Sequence, residues 1–171
     1  MVKKSAYVFI LVVFALAVLV ARNLRQEAQF QKIPESVVPF FVQNSNGDSV
    51  SFDSQKGKWT LIVLSASWCP ACHAQNKALK KVYREEHQNG FRIFMISEDD
   101  ALANVRKYKE DFEFPWDVYH WNYNAMNALG NPQFIPVSYL VNKQNKIVWI
   151  KSGTLKYDEL KKELKAQQEQ P

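Results

Sequence analysis

The sequence predicts an α/β sandwich around a central mixed sheet. Apolar runs of strand length alternate with longer amphipathic stretches, and turns rich in Gly and Asn separate them. The chain then closes on two apolar runs joined by a short turn, followed by a last amphipathic segment. At 171 residues it has room for one domain and an appendage, and 47% apolar with 13% aromatic residues can fill a core without disulfide staples.

Residues 23–36 are polar and mixed in charge and read as a tether. Val37–Val42 and Ser49–Phe52 flank a turn in which Asn46-Gly47 is a hairpin signal. Gly57 precedes a buried strand at Trp59–Ser65. Pro70–His87 reads as a helix with Ala71, Ala78, Leu79, Val82 and Tyr83 on one stripe, stopped by Asn89-Gly90. Phe91–Ser97 is a second apolar strand, and Asp99 or Asp100 is placed to cap a helix reaching Asp111. The aromatic stretch from Phe112 to Tyr123 predicts a short strand near Asp117–His120 and then a helix near Tyr123–Leu129. Most of these aromatics are expected in the core, with some left to line a groove. Val137–Val141 and Ile147–Ile150 form a hairpin around Asn142–Asn145, and Lys156–Gln168 is a closing amphipathic helix with a fraying end.

The N-terminus carries a location signal. Lys3 and Lys4 precede an almost wholly apolar run, residues 6–21, whose helical length is about 24 Å against a hydrocarbon core of about 30 Å. No good small-x-small cleavage site ends it, so residues 1–22 read as an uncleaved signal anchor, with a cleaved signal peptide as the alternative. The basic start keeps the N-terminus in the cytoplasm and sends the rest outward. The net charge of +5 is scattered, as at Lys80-Lys81 and Lys161-Lys162, which fits a solvated surface and no nucleic-acid partner.

Cys69 and Cys72 are the only cysteines. They stand in Trp68-Cys69-Pro70-Ala71-Cys72, where the run Leu61–Leu64 gives way to the first amphipathic stretch. Two thiols at this spacing can close a small, reducible disulfide, and a helix N-terminus with roughly half a positive charge favours the thiolate of the first. The pattern points to thiol–disulfide exchange through the Cys69–Cys72 pair, with no separate cofactor. An inert local disulfide is the bland alternative. A sharper one comes from His73, which completes the Cys-x-x-Cys-His signature of c-type haem attachment. Haem is disfavoured because the candidate axial ligands, Met95 in a core strand pattern and Met126 in the insertion helix, both read as packing residues. His73 is expected to be an exposed first-turn residue, with a secondary role as an imidazolium beside Cys69. His87 and His120 share no ligand spacing with each other or with the cysteines, so no metal is expected.

These segments resemble the thioredoxin superfamily, and within it the exported, membrane-tethered TlpA/ResA-like thiol–disulfide oxidoreductases. The likeness covers about residues 37–166. It rests on Asn46-Gly47-Asp48 leading through Lys56-Gly57-Lys58-Trp59 to Ala66-Ser67-Trp68-Cys69-Pro70-Ala71-Cys72, on a helix-containing insertion, and on Ile135-Pro136-Val137-Ser138-Tyr139-Leu140-Val141-Asn142-Lys143. It implies a thioredoxin-like three-layer sandwich over residues 37–171. It also implies that Cys69 attacks, that Cys72 resolves the mixed disulfide, and that Pro136 is a cis-proline whose neighbour Ile135 pairs with a client strand. Trp68 and Pro70 would frame the site.

Some positions depart from the pattern. Related reductases often carry a glutamate three residues after the second cysteine, where this chain has Gln75; thioredoxin has an aspartate six residues before the first, where this chain has Val63. Gln75 can orient water but cannot accept a proton, so Cys72 lacks either expected base and slower resolution is anticipated. Peroxidase chemistry of the peroxiredoxin type is disfavoured by Ala66, which stands where a hydroxyl is wanted.

The resemblance implies a single-pass protein of the bacterial inner membrane with its domain in the periplasm or on the outer face. There it would reduce disulfides of client proteins, cytochrome c maturation being one route, and take electrons from a membrane relay. Proline-first motifs occur in oxidants and reductants alike, so an oxidase or isomerase stays open, as does a client-binding module with secondary redox activity.

Overall fold

The computed structural model describes residues 12–18 and 34–169. Residues 12–18 are helical, and among the described residues no helix is long and apolar enough to cross a membrane. Most of the expected span at residues 6–21 and of the tether at 23–36 lies outside the described residues.

From Pro34 onward a seven-stranded sheet carries the architecture. Its strands are β1 (Phe41–Asn44), β2 (Ser49–Ser51), β3 (Trp59–Ser65), β4 (Phe91–Ser97), β5 (Val118–His120), β6 (Val137–Val141) and β7 (Ile147–Ser152). The spatial order is β2-β1-β5-β4-β3-β6-β7. The central strands β3, β4 and β5 run parallel, and the flanking pairs are antiparallel, so the sheet is mixed as expected. Helices α1 (Pro70–Glu86), α2 (Leu102–Asp111), α3 (Tyr123–Ala128) and α4 (Tyr157–Gln168) complete the layers.

Alternation along the strands divides the core in two. Leu61, Val63, Ile93 and Met95 face α1, α2 and α4, where Leu79, Val82, Val105, Tyr108, Leu160 and Leu164 meet them. Ile62, Leu64, Phe94 and Ile96 face the other way, against α3, Phe40 and Phe52. This period of two is what a sheet covered on both sides requires. Met95 and Met126 are both buried core residues, in line with their reading as packing residues. Of the insertion aromatics, Phe114, Trp116 and Tyr119 are buried, whereas Tyr123 is 77% exposed.

Three local expectations are corrected. The first strand begins at Phe41, not Val37, because Pro39 has no N–H for the ladder; Val37 bonds Asn145 in the distant hairpin turn instead. The buried stripe of α1 is Cys72, Gln75, Asn76, Leu79 and Val82, which leaves Ala71 exposed. Neither Asp99 nor Asp100 caps α2: its N-cap is Ala101, with no side-chain hydrogen bond. The Asn89-Gly90 stop is as expected, with Gly90 left-handed at φ 88° after a 3-10 turn at His87–Asn89.

Candidate active site

The parallel strands β3 and β4 end side by side, with Ser65 opposite Ser97. Because β6 runs antiparallel to β3 with Val137 opposite Leu64, its N-terminal end reaches the same edge. Topology alone therefore brings together three loops distant in sequence: residues 66–69, 98–101 and 134–136. Open α/β sheets place their sites at this carboxyl edge.

Cys69 and Cys72 are joined as a disulfide with Cα atoms 5.2 Å apart. Cys69 is the N-cap of α1, and its Sγ accepts the Cys72 N–H at 3.2 Å. Pro70 occupies the first helical turn, where its fixed φ suits the helix and its missing N–H leaves no orphan donor. Cys72 is fully buried and Cys69 is 4% exposed, whereas Trp68 beside them is 63% exposed. The Ile135–Pro136 peptide is cis. Ile135 packs against the buried cluster of Ala66, Cys69 and Cys72, which sets this loop beside the cysteine pair. Phe134, one residue earlier, is 54% exposed.

Gln75 is fully buried one turn beyond Cys72. Its Oε1 accepts the Leu155 N–H at 3.1 Å, and its Nε2 has no hydrogen-bond partner among the described residues. It ties α1 to the segment after β7, a link reinforced by the Thr154 hydroxyl on the Ala71 carbonyl.

His73 is not the exposed first-turn residue expected. It is half-buried, its Nε2 donates to the Ser67 carbonyl at 2.7 Å, and its ring lies 4.5 Å from that of Phe112. The aromatic cluster at the end of α2 offers that ring an apolar seat, which a helix surface alone does not. Behind the loop, the Ser65 hydroxyl and the Tyr108 hydroxyl share a buried hydrogen bond of 2.8 Å. Burial raises the Tyr108 pKa above its usual value, and the Ser65 bond opposes that rise. Among the described residues no group of three or more His, Cys, Asp and Glu side chains is arranged to hold a metal ion.

Two acidic residues at this edge were not singled out from sequence as site residues. Asp99 is buried and bonded to Ser67 and Ser97. Glu98 is half-buried beside the same loop, with its N–H on the Ser65 carbonyl at 2.8 Å. Burial holds the Glu98 carboxyl pKa above its usual value. The folded chain therefore binds that proton more tightly than the unfolded chain. The associated stability is complete below the unfolded value of about 4.3 and is lost as pH rises through the folded value. Glu98→Gln is accordingly expected to raise Tm at pH 7 by about 1–2 °C and to leave it unchanged near about pH 3.5. Calorimetric melts at the two pH values check this; an equal shift at both would assign the effect to packing.

Residues 29–167 match the Redoxin family. The chain belongs to that family. The family match together with relatives named thiol-disulfide oxidoreductase ResA and the thioredoxin-fold neighbours make it a TlpA/ResA-like member of the thioredoxin superfamily, and a thiol–disulfide oxidoreductase. It is similar to the thiol-disulfide oxidoreductase ResA of Oceanobacillus iheyensis, with 19% identity over 92% of this chain and 87% of that protein. It is similar also to the thiol:disulfide interchange protein DsbE of Pasteurella multocida, at 26% identity over 86% of this chain and 83% of that one. Among solved structures, a thiol:disulfide interchange protein from Chlorobium tepidum shares the fold with a TM-score of 0.70 and 21% identity, covering 78% of this chain and 95% of the other.

Proposed function

We propose that this Redoxin-family oxidoreductase is an exported, membrane-tethered reductant of disulfides in client proteins. Residues 1–22 anchor it in the bacterial inner membrane, residues 23–36 are the tether, and residues 37–171 work on the outer face. The basic start and apolar run support that placement.

The exchange runs in two displacements. The Cys69 thiolate attacks one sulfur of the client disulfide, forming a Cys69–client bond and releasing the other client sulfur as a thiol. The Cys72 thiolate then attacks the Cys69 sulfur, releasing the second client thiol and leaving the Cys69–Cys72 disulfide. Two electrons and two protons pass to the client, and a membrane dithiol relay restores the pair. Pro136 and Ile135 hold the client segment, and the exposed Trp68 and Pro70 flank it. Cytochrome c maturation is a candidate route because it needs reduced haem-attachment cysteines in an oxidising compartment.

The observation that carries the reductive direction is the sparse support for a Cys69 thiolate. Among the described residues its Sγ receives one hydrogen bond, from Cys72 N–H, and Pro70 supplies no N–H. A strong oxidant owes its potential to a stabilised reduced form. Little here stabilises it beyond the helix terminus. The full-length protein equilibrated in thiol buffers is expected to show a potential near or below about −250 mV, among thioredoxin-like reductants. A value near about −120 mV would make the protein an oxidant and reverse the proposal.

A further inference from the structure

We infer that Asp99 is a positioning residue for Cys69: it fixes the loop ahead of Cys69 through Ser67, and its charge disfavours the Cys69 thiolate. The inference rests on Cys69 being the attacking thiol, but not on the direction of electron flow.

The geometry begins with a carboxylate where a strand ends. Asp99 follows β4 by two residues, is 2% exposed, and makes no capping bond to α2. Its Oδ2 accepts the Ser67 N–H at 3.1 Å and the Ser97 hydroxyl at 2.5 Å, while its Oδ1 accepts the Ser67 hydroxyl at 2.5 Å. The Asp99 carbonyl accepts from His120 Nε2 at 2.8 Å, which holds its backbone to the end of β5. From the opposite side His73 Nε2 takes the Ser67 carbonyl. The N–H, hydroxyl and carbonyl of Ser67 are thus all engaged, two residues before Cys69.

A loop tie needs hydrogen bonds; it does not need a charge. All three donors to the Asp99 carboxyl are neutral, and among the described residues it joins no ion pair. A buried anion without a counter-ion acts over several ångströms of protein on any neighbouring group that must become negative. Behind the loop, its charge adds to the rise of the Tyr108 hydroxyl pKa, whose main cause is burial. The other titratable residues at this edge are His73 from α1, Tyr108 from α2, His120 from β5 and Glu98, one residue past β4. The helix terminus pulls the Cys69 thiolate down in energy and Asp99 pushes it up.

Asp99→Asn separates tie from charge, because the amide oxygen can accept from the Ser67 N–H and the Ser97 hydroxyl while the amide NH2 donates to the Ser67 hydroxyl oxygen. In the full-length reduced protein, this variant is expected to lower the pH midpoint of Cys69 alkylation by about one unit. At a pH above the alkylation midpoints of both proteins, its equilibrium with glutathione should move about tenfold toward the dithiol. Ser67→Ala, which keeps the charge and removes one donor, should leave the midpoint at or above that of the wild type. An unchanged midpoint in Asp99→Asn, or equal shifts in both variants, overturns the inference in favour of a purely structural tie. A readout on the wild type removes any dependence on how the variants fold. The carbon-13 resonance of the Asp99 carboxyl should inflect at the pH where Cys69 ionises, and a flat profile there overturns the inference equally. The absolute potential of the wild type tests the reductant reading alone; the difference between Asp99→Asn and wild type tests Asp99 alone.

Discussion

Cys69→Ser is expected to abolish reduction of a protein disulfide such as that of insulin, down to the rate without enzyme, while Cys72→Ser is expected to accumulate a covalent adduct with the client. The asymmetry follows from where the two sulfurs sit. A client sulfur must approach the attacking sulfur along the line of the bond being broken, which needs open space on that line. Cys69 is the capping residue at the mouth of α1, between the exposed Trp68 and Pro70, and it keeps 4% of its surface; Cys72 is a turn further in and keeps none. Serine at position 69 offers an un-ionised hydroxyl in place of a thiolate, so the first displacement does not occur. Serine at position 72 leaves that first step intact but removes the group that resolves it, and the Cys69–client bond persists. Mass spectrometry of the full-length variants after incubation with client, with and without dithiothreitol, reads this directly. An adduct on Cys72 in the Cys69→Ser variant would reverse the assigned roles.

The order of elements and the cysteine motif were legible because their signals are local. Strand-length apolar runs, the Asn46-Gly47 hairpin, the Asn89-Gly90 stop and even the short strand and helix of the insertion all appear at or within a few residues of their expected places. The conformation of Ile135–Pro136 was reached differently, through resemblance, since no local pattern distinguishes it. What escaped was the set of contacts made across strands. Asp99 looks like a helix cap in sequence, because an acidic residue before an amphipathic stretch fits that role. It bonds Ser67 instead, 32 residues away, because β3 and β4 are neighbours that end at the same edge. His73 fails for the same reason: its seat is built by Phe112 and Tyr108, which helical periodicity around position 73 cannot reveal. An available signal was Ser97-Glu98-Asp99 itself, a polar run directly after a parallel strand that adjoins the strand bearing the motif.

Phe94→Ala is expected to produce the largest loss of stability among core substitutions, about 3–5 kcal/mol. Phe94 lies in β4 opposite Ile62 and is 1% exposed. Its ring stacks on Tyr119 with centroids 4.0 Å apart and meets Phe52 and Phe40 edge-on at 5.2 and 6.0 Å. Four aromatic side chains from four segments therefore converge on one point under the sheet, and truncation removes apolar burial together with three ring contacts worth about 0.5–1.5 kcal/mol each. The hole faces neighbours fixed in strands, so collapse around it is limited. A domain of this size has about 5–15 kcal/mol in all, so the variant should lose about 10 °C or more of Tm and stay folded only at moderate temperature. Phe94→Leu, which keeps most of the volume, should lose well under half as much. Function depends on β4 staying paired in the sheet, because the strand that Phe94 anchors ends in Ser97 and leads into Asp99, whose mutual bond backs the loop ahead of Cys69. Below its melting transition the variant should therefore exchange disulfides with a normal Cys69 pH midpoint, and lose activity only in step with the unfolding signal. Activity that falls at temperatures where circular dichroism is still native would show that β4 loosens locally before the sheet does, and that the active-site loop depends on the packing of the far face.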